Sequence, residues 1–503
     1  MQKTIDCVRG ISLREVLPSG QIFGAADIRI TSCCCDSRRC KEGDLFVALL
    51  GQEEDGHDYV QQAIDRGAVA VLAERPLPFN IPACMVEDTR EAFGKVCQAL
   101  TGNPSQQLHT IGITGTSGKT TTSVLLTSIL EMAGHRVGMM GSLGYSDGFD
   151  TLPAKSSAPV VPEMASWLAR MRANDCSHAV MELSSIGLAT RKTAGIEFDA
   201  ACITNVRRNR IDFHNSVLNY RRAKGNLLRQ LRPHGFAVFN VDDPASKFLL
   251  SQVDNPVLTI GMKGPAEVTA QVVERYSSEQ TFLLTAGNET APVRTKMIGD
   301  HHVYNCLAAA AIGLVYGIDL AGIVRGLEAI ECVPGRLERI ECGQPFSVFV
   351  DSSVKPDSLV AGLRALREVT TGRLICVLGT GGDRNSDHRP LLGRATERFA
   401  DLSVLTAGNP GPEGPLSVIH DILDGYDRPS RALVKPDRTR ALVWALEQAR
   451  AGDTVLIVGD NLPCQQTGGK NTICDDREIA RYWLYESAKS HLNNPWTMAI
   501  ARG

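Results

Sequence analysis

The fold is decided by a strand-like segment, His109-Thr110-Ile111-Gly112-Ile113-Thr114, followed at once by Gly115-Thr116-Ser117-Gly118-Lys119-Thr120-Thr121. A long helix is predicted to begin at the lysine. Glycines let backbone N–H groups approach phosphate oxygens, and the amino end of a helix attracts negative charge. This context predicts ATP binding by residues 115–121, with Lys119 on the β- and γ-phosphates and the Thr120 hydroxyl on a magnesium ion.

The glycine loop departs from the standard phosphate-loop pattern, because Ile113 stands where that pattern has its first glycine. A Gly-Lys-Thr triplet alone arises often by chance, so the flanking strand and helix carry the prediction. The loop also leaves the reaction open, since kinases, ATPase motors and ligases can all use one.

Length and composition set the class of protein. A chain of 503 residues predicts about two to four domains. Acidic and basic residues are mixed and the net charge is -3, which argues against a nucleic-acid or acidic-membrane partner. No apolar run reaches the roughly 18–20 residues of a membrane span, and residues 1–17 lack a signal-peptide core. We expect a cytoplasmic protein, without membrane insertion and monomeric.

The 15 cysteines are scattered, apart from the run Cys33-Cys34-Cys35. A metal or redox site is one interpretation of this run. Adjacent cysteines cannot easily chelate one metal, however, and no C-x-x-C pair accompanies them. The sequence therefore favours small buried side chains on a strand.

Alternating strand-like and helix-like segments favour an α/β architecture with three domains. An N-terminal α/β domain covers residues 1–107 and ends at a linker, 101–105. A central domain over 108–333 contains the glycine loop and a mainly parallel sheet. A C-terminal domain over 334–503 has strands at 347–351, 374–378, 402–406 and 454–458, separated by helices, which is typical of a Rossmann-like sheet.

The shorter loop G-T-x-G-K-T-T is similar to that of the Mur ligase family, and other landmarks of that family follow in its order. They are Cys35-Asp36-Ser37-Arg38, Gly43 to Ala48, Asp55-Gly56-His57, Met181-Glu182-Leu183-Ser184-Ser185, Thr204-Asn205, Tyr220 to Lys224, Asn240 to Pro244, Gly299 to Asn305, Gly335-Arg336-Leu337-Glu338, Gly379 to Arg384 and Arg389-Pro390. The chain thus resembles the family over roughly residues 25–480, and within it the muramoyl-tripeptide synthetases.

The resemblance implies an ATP-dependent ligase of peptidoglycan synthesis, and so a part in cell-wall biogenesis, cell shape and cell division. ATP would convert a carboxylate into an acyl-phosphate, which the amine of a free amino acid then attacks. The acceptor would be UDP-N-acetylmuramoyl-L-alanyl-D-glutamate, held by a uridine-nucleotide-binding N-terminal domain. Magnesium and Lys119 would neutralise charge as the γ-phosphoryl group moves.

Further roles follow from the resemblance residue by residue. Glu182 would bind magnesium. Lys224 would be carbamoylated and bind a second magnesium, although it could instead be a solvated helix lysine. Nucleotide contacts are implied for Asn305, Arg336 and Asp351. Contacts with the muramoyl substrate or the amino acid are implied for Ser37, Gln52, Ser157, Ser184, Lys192, Arg384, Asn409 and Gly459.

Several positions depart from the family. In Asn209-Arg210-Ile211-Asp212-Phe213-His214, Arg210 replaces a metal-binding histidine, and a guanidinium has no lone pair for a metal. Arg210 would either replace the charge of the second magnesium or bind phosphate. Polar residues are also lost where Ile186 replaces the histidine of S-S-H, in Ser157-Ala158-Pro159 for T-T-P, and across 351–357.

The amino-acid motifs change as well. Gly408-Asn409-Pro410-Gly411 lacks the arginine that grips the far carboxylate of diaminopimelate in the family, and Gly459 to Pro463 lacks the glutamate that receives the far amine. The motifs therefore support neither diaminopimelate nor lysine as the added amino acid.

Two hypotheses remain. The chain is either an active ligase with an altered metal site, or a catalytically weak relative that binds nucleotide or muramoyl precursor in a regulatory role. The intact Gly118-Lys119-Thr120, Glu182 and Lys224 favour the ligase, whereas Arg210, Gly411 and Pro463 favour the binding protein. A P-loop kinase would leave the Gly381-to-Arg384 motif unexplained.

Overall fold

The computed structural model describes residues 10–51, 54–154, 159–207, 211–382, 386–408, 411–459 and 475–492. It contains two compact units, one formed by Met1–Thr269 with Leu307–Gly326, the other by Ala270–Cys306 with Leu327–Gly503. The domain boundaries after residues 107 and 333 stay predictions. Within the described residues, no helix combines the length and the apolar character that a membrane crossing requires.

The described residues up to 107 form a small α/β fold. Its strands and helices are β1 (Ile11–Ser12), α1 (Leu13–Val16), β2 (Gln21–Phe23), β3 (Arg29–Ile30), β4 (Cys33–Cys34), β5 (Leu45–Val47), α2 (Val60–Asp65), β6 (Ala70–Ala73), β7 (Ala83–Met85) and α3 (Thr89–Leu100). The main sheet has the order β2-β7-β6-β5-β4, parallel except for β2. β5 stops at Val47, because Leu50 turns back to pair with Asp55. Cys35 is exposed, which differs from the buried side chain expected for the cysteine run.

The middle of the chain supplies the longest run of elements. They are β8 (His109–Thr114), α4 (Lys119–Met132), β9 (Val137–Gly141), β10 (Gly144–Ser146), β11 (Thr151–Leu152), α5 (Val161–Ala173), β12 (His178–Leu183), α6 (Ser185–Ala189), β13 (Phe198–Ile203), α7 (Ile211–His214), α8 (Val217–Gly225), β14 (Leu231–Asn240), α9 (Pro244–Leu250), β15 (Val257–Gly261), β16 (Val268–Arg275), β17 (Gln280–Ala286), β18 (Glu289–Thr295), α10 (Asp300–Val315) and α11 (Leu320–Glu328).

The sheet of the first unit has the order β11-β10-β9-β12-β8-β13-β14-β15-β16. All neighbours from β9 to β16 run parallel, and only β10 and β11 are antiparallel. The predicted mainly parallel central sheet is therefore confirmed. Since β8 lies between β12 and β13, the loops that follow these three strands meet at one edge, where α/β sheets bind ligands.

In the second unit, β17 and β18 form an antiparallel hairpin that the sequence did not predict. The remaining elements of this unit are β19 (Glu338–Ile340), β20 (Ser347–Asp351), α12 (Pro356–Val369), β21 (Leu374–Thr380), α13 (Arg389–Phe399), β22 (Leu402–Ala407), α14 (Pro415–Leu423), β23 (Ala432–Val434), α15 (Arg438–Gln448), β24 (Thr454–Val458) and α16 (Asp476–Leu492). Their sheet has the order β19-β20-β24-β21-β22-β23, parallel except for β19. Apolar clusters cover both of its faces, as expected for a Rossmann-like fold.

Candidate active site

The glycine loop, residues 115–118, connects β8 to α4 and has little space for larger residues. Gly118 has a φ of +87°, a left-handed conformation that glycine adopts without strain. A Cβ atom on Gly115 would lie 1.8 Å from the hydroxyl oxygen of Thr204. Both glycines are therefore required by the loop's own geometry.

Residues that follow β13 hold this loop in place. The Thr204 hydroxyl donates to the carbonyl oxygen of Ser117 at 2.7 Å, and the Asn205 amide donates to the same oxygen at 3.0 Å. The Ser117 N–H donates to the Asn205 side-chain oxygen at 3.1 Å. On the other side, the hydroxyl oxygens of Thr116 and Tyr220 are 2.8 Å apart. These bonds fix the loop before any ligand arrives.

Lys119 begins α4 and turns back over the loop. Its ammonium nitrogen donates to the Gly115 carbonyl at 3.2 Å and lies 3.9 Å from a carboxylate oxygen of Glu182, near the end of β12. Glu182 is 5% exposed, so its charge is removed from water. A half-buried cation beside a loop of backbone N–H groups suits a phosphate chain.

Three oxygens form a triangle next to this pair. The Thr120 hydroxyl is 2.9 Å from the Ser142 hydroxyl, and both lie 3.0 Å from Oε2 of Glu182. Magnesium binds oxygens at roughly 2.0–2.1 Å in octahedral geometry, so neighbouring ligands are about 2.9 Å apart. The triangle therefore fits one face of a magnesium octahedron, which supports the roles predicted for Thr120 and Glu182.

Ser142 was not among the predicted site residues. It follows β9, and its backbone N–H also donates to Oε2 of Glu182 at 3.0 Å. The preceding Gly141 leaves room for the carboxylate, since a Cβ atom there would lie 3.2 Å from that oxygen. The only sequence signal was a serine directly after a strand, which becomes informative once β9 is known to adjoin β12.

Lys224 lies on α8 and is 1% exposed, so it is not the solvated helix lysine that the sequence left open. Its ammonium nitrogen is 4.9 Å from the centre of the Tyr220 ring. His214 contacts the same ring, and its Nε2 is 3.1 Å from the Ser185 hydroxyl. Tyr220 thus connects the surroundings of Lys224 to Thr116 of the glycine loop.

Of the predicted substrate residues of the first unit, Ser184 and Lys192 lie on either side of α6, whereas Ser37 lies in the N-terminal fold. The buried Ser37 hydroxyl donates to the Gln62 side chain at 2.6 Å. Ser184 caps α6 by accepting from the Gly187 N–H at 3.0 Å. Lys192 is exposed. Gln52 and Ser157 lie outside the described residues, as does Arg210.

In the second unit, Arg336 and Asp351 are close neighbours. Burial raises the pKa of the Asp351 carboxyl, while the Arg336 charge and the N–H groups of Ser353 and Leu337 oppose that rise. Asn305 is buried within α10 rather than at its start. Arg384 and Asn409, predicted to contact substrate, lie outside the described residues.

Gly459 follows β24, and a Cβ atom there would lie 2.0 Å from a guanidinium nitrogen of Arg438. That guanidinium pairs with Asp476 of α16 at 2.5 Å. A side chain at this position would therefore have to displace the Arg438 guanidinium, and the predicted substrate contact of Gly459 stays a prediction.

Arg389, part of the Arg-Pro landmark, has a structural role that the sequence did not indicate. It is 1% exposed and lies 2.6 Å from a Glu413 oxygen and 2.7 Å from an Asp421 oxygen. It also donates to the Gly382 carbonyl at 3.1 Å. Arg389 therefore anchors the loop after β21 to Glu413, just before α14, and to Asp421, near the end of α14.

Three consecutive segments of the chain match descriptions of known protein families. Residues 29–97 match "Mur ligase family, catalytic domain", residues 113–313 match "Mur ligase middle domain", and residues 335–461 match "Mur ligase, glutamate ligase domain". Together the three matches account for most of the chain.

Similar proteins agree with this result. A UDP-N-acetylmuramoyl-L-alanyl-D-glutamate–2,6-diaminopimelate ligase of Geobacillus thermodenitrificans is 36% identical over 478 residues, 93% of this chain and 98% of that protein. The ligase of the same name from Geobacter metallireducens is 33% identical over 504 residues, 95% of this chain and 98% of that protein.

Solved structures show the same architecture. A UDP-N-acetylmuramoyl-L-alanyl-D-glutamate–2,6-diaminopimelate ligase superposes with a TM-score of 0.70 at 25% identity, covering 95% of this chain and 99% of that one. MurF of Acinetobacter baumannii shares the fold, with a TM-score of 0.61, 23% identity and coverage of 96% and 99%. The glycine loop, the three family segments and relatives that are similar over nearly the whole chain all agree. The chain therefore belongs to the Mur ligase family.

Proposed function

We propose that this protein is an ATP-dependent amide-bond ligase that adds an amino acid to UDP-N-acetylmuramoyl-L-alanyl-D-glutamate through an acyl-phosphate. The observation that carries the proposal is the cluster of Lys119, Thr120, Ser142 and Glu182 at the edge where the glycine loop ends. It joins one half-buried cation to three oxygens with the spacing of magnesium ligands. The names of the relatives supply the substrate class.

Each side chain of the cluster has a separate task. The backbone N–H groups of the glycine loop and the amino end of α4 bind the phosphate chain. The Lys119 ammonium moves from Glu182 toward the γ-phosphoryl group and offsets its charge while the substrate carboxylate attacks. Thr120, Ser142 and Glu182 would hold magnesium, which supplies positive charge to the phosphates when bound.

Lys224 completes the proposed catalytic set. A buried ammonium group is costly to keep charged. Reaction with CO2 would convert it to a carbamate, whose anionic oxygens could bind a second magnesium. The aromatic contact with Tyr220 holds the side chain beside the loop that carries Thr116.

The identity of the amino acid is the open part of the proposal. The printed names of the relatives specify 2,6-diaminopimelate, whereas Gly411 and Pro463 remove the arginine and glutamate motifs that the family uses for its far end. We propose that the enzyme is monomeric and cytoplasmic. An assay with a panel of amino acids identifies the one that it adds.

The test is phosphate release by the purified protein with ATP, magnesium, the UDP-muramoyl dipeptide and a panel of amino acids. Release that depends on one amino acid supports the ligase and names its substrate. Lys119→Ala should lower the rate by about 10²–10³-fold, since it removes a charge that stabilises the transition state. Lys247→Ala, an exposed lysine on α9, is the matched control.

Absence of phosphate release with every amino acid of the panel would contradict the ligase function. If the protein still bound ATP or the UDP-muramoyl dipeptide, that result would favour the regulatory binding protein, the alternative that Gly411 suggests.

A further inference from the structure

Three side chains of the N-terminal fold meet far from the glycine loop in sequence. They are Cys34 in β4, Cys40 after the short helical turn Ser37–Arg39, and Asp44 just before β5. Their two sulfur atoms and one carboxylate oxygen all lie within 4.8 Å of one another. Cys40 and Asp44 are buried, and Cys34 is half-buried.

Asp44 is held in position yet lacks a positive partner. One carboxylate oxygen accepts from the Ser32 hydroxyl, and the other accepts from the Lys41 N–H at 2.8 Å. In the described part of the chain, no Lys, Arg or His nitrogen comes within 4.0 Å of this carboxylate. A carboxylate that is 6% exposed is usually paired with a cation or bound to a metal.

The chemistry of the three groups is selective. Two cysteine sulfurs favour thiophilic ions such as zinc over magnesium or calcium. Zinc–sulfur bonds of about 2.3 Å place two sulfurs of a tetrahedral site about 3.8 Å apart. Side-chain rotations that move the atoms by about 1 Å would therefore bring this cluster to zinc geometry.

We propose that Cys34, Cys40 and Asp44 form a binding site for a thiophilic divalent cation, best suited to Zn²⁺. Binding deprotonates both thiols, and the two protons pass to solvent as two metal–sulfur bonds form. Three protein ligands leave one coordination position for water. The site is separate from the proposed magnesium ligands and does not depend on the proposed ligase activity.

The site has a direct structural consequence. Cys34 and Cys40 flank the segment that contains Ser37, a predicted contact of the UDP-muramoyl substrate. A metal bound to both cysteines would close this segment into a short ring and restrict its motion. The sequence favoured inert cysteines because it could not show that Cys40 and Asp44 approach Cys34.

The experiment uses Co²⁺ as a spectroscopic probe with the full-length protein, reduced and freed of metal. One equivalent should produce the absorption of tetrahedral cobalt bound to thiolate, and Zn²⁺ should displace it. Cys34→Ser and Cys40→Ser should each abolish the thiolate band, and Asp44→Asn should weaken binding at least 10-fold. Circular dichroism without metal verifies that each variant is folded.

Neighbouring cysteines provide matched controls. Cys35→Ser changes an exposed thiol of the same run, and Cys97→Ser changes a thiol whose sulfur is 3.8 Å from Cys33. Both variants should keep the cobalt spectrum. Absence of a thiolate band in the wild-type protein, or its survival in Cys34→Ser or Cys40→Ser, would overturn the proposal.

A measurement on the wild-type protein tests the metal site even if one of the variants does not fold. Zn²⁺ should protect the half-buried Cys34 from alkylation, as read by peptide mass spectrometry, while labelling of the exposed Cys35 stays unchanged. Equal labelling of Cys34 with and without Zn²⁺ would also overturn the site.

Discussion

Replacing Gly115 by alanine should disable the glycine loop through one identified clash. The new Cβ atom would lie 1.8 Å from the Thr204 hydroxyl oxygen, whereas real contacts of this kind are essentially never shorter than 3.0 Å. The two atoms must therefore separate by about 1 Å or more. Either the loop moves, or Thr204 rotates and loses its bond to the Ser117 carbonyl.

The size of the expected loss in ATP affinity follows from these two responses. Overpacking a tight site costs about 1–3 kcal/mol, and the hydrogen bond that Thr204 would lose is worth about 1 kcal/mol. Because the displaced groups are those that shape the phosphate site, ATP affinity should fall about 10-fold, which corresponds to about 1.4 kcal/mol. Isothermal titration with ATP and magnesium measures this change directly.

A double-mutant cycle tests the cause. Thr204→Ala removes the clashing oxygen, so Gly115→Ala/Thr204→Ala should bind ATP more tightly than Gly115→Ala alone, a strong departure from additivity. Gly264→Ala is the control, since its Cβ atom would meet nothing closer than 3.9 Å. Wild-type ATP affinity in Gly115→Ala, or no recovery in the double variant, would refute the reasoning.

Three further predictions concern other parts of the molecule. Ser142→Ala removes one oxygen beside Glu182 and should raise the magnesium concentration for half-maximal phosphate release about 10-fold; an unchanged titration would exclude Ser142 as a ligand. Arg389→Met leaves the partly exposed carboxylates of Glu413 and Asp421 without their arginine, and should lower the free energy of unfolding by about 2 kcal/mol in urea titrations. Arg394 is exposed on the same helix, so Arg394→Met should change this free energy little. Burial and two neighbouring histidines lower the pKa of His178 from 6.5 to about 4. As the pH falls from 6.5 to 4, the unfolded chain takes up the proton before the folded protein does. The free energy of unfolding should therefore decline by up to about 3 kcal/mol and level off below about pH 4. Thermal unfolding of His178→Asn should show a shallower decline with pH.

The part of the site that depends on local sequence could be predicted. The loop from Gly115 to Thr121 carries its strand, glycines and helix start within a few residues, so its conformation follows from short-range rules. Glu182 followed from its place near the end of an apolar strand and from the family motif. The strands of the C-terminal sheet were predicted for the same reason, as continuous apolar runs.

The part that depends on strand order could not be predicted from the sequence alone. Ser142 approaches Glu182 only because β9 pairs with β12, and a lone serine after a strand does not reveal that pairing. Arg389 becomes an anchor only when α13 and α14 bring Glu413 and Asp421 to it. Cys34, Cys40 and Asp44 are likewise assembled by the turn Ser37–Arg39. The β17–β18 hairpin, in contrast, carries a local signal that the predicted elements left out, because the two-residue turn Gly287-Asn288 separates its strands.

The most direct test of the proposed chemistry follows one oxygen atom. The UDP-muramoyl dipeptide is prepared with ¹⁸O in the glutamate carboxylate that forms the new amide, and the phosphate released during ligation is analysed by mass spectrometry. An acyl-phosphate intermediate transfers one labelled oxygen from that carboxylate to each phosphate. Ligation that releases only unlabelled phosphate would contradict activation of the carboxylate by the nucleotide bound at Lys119.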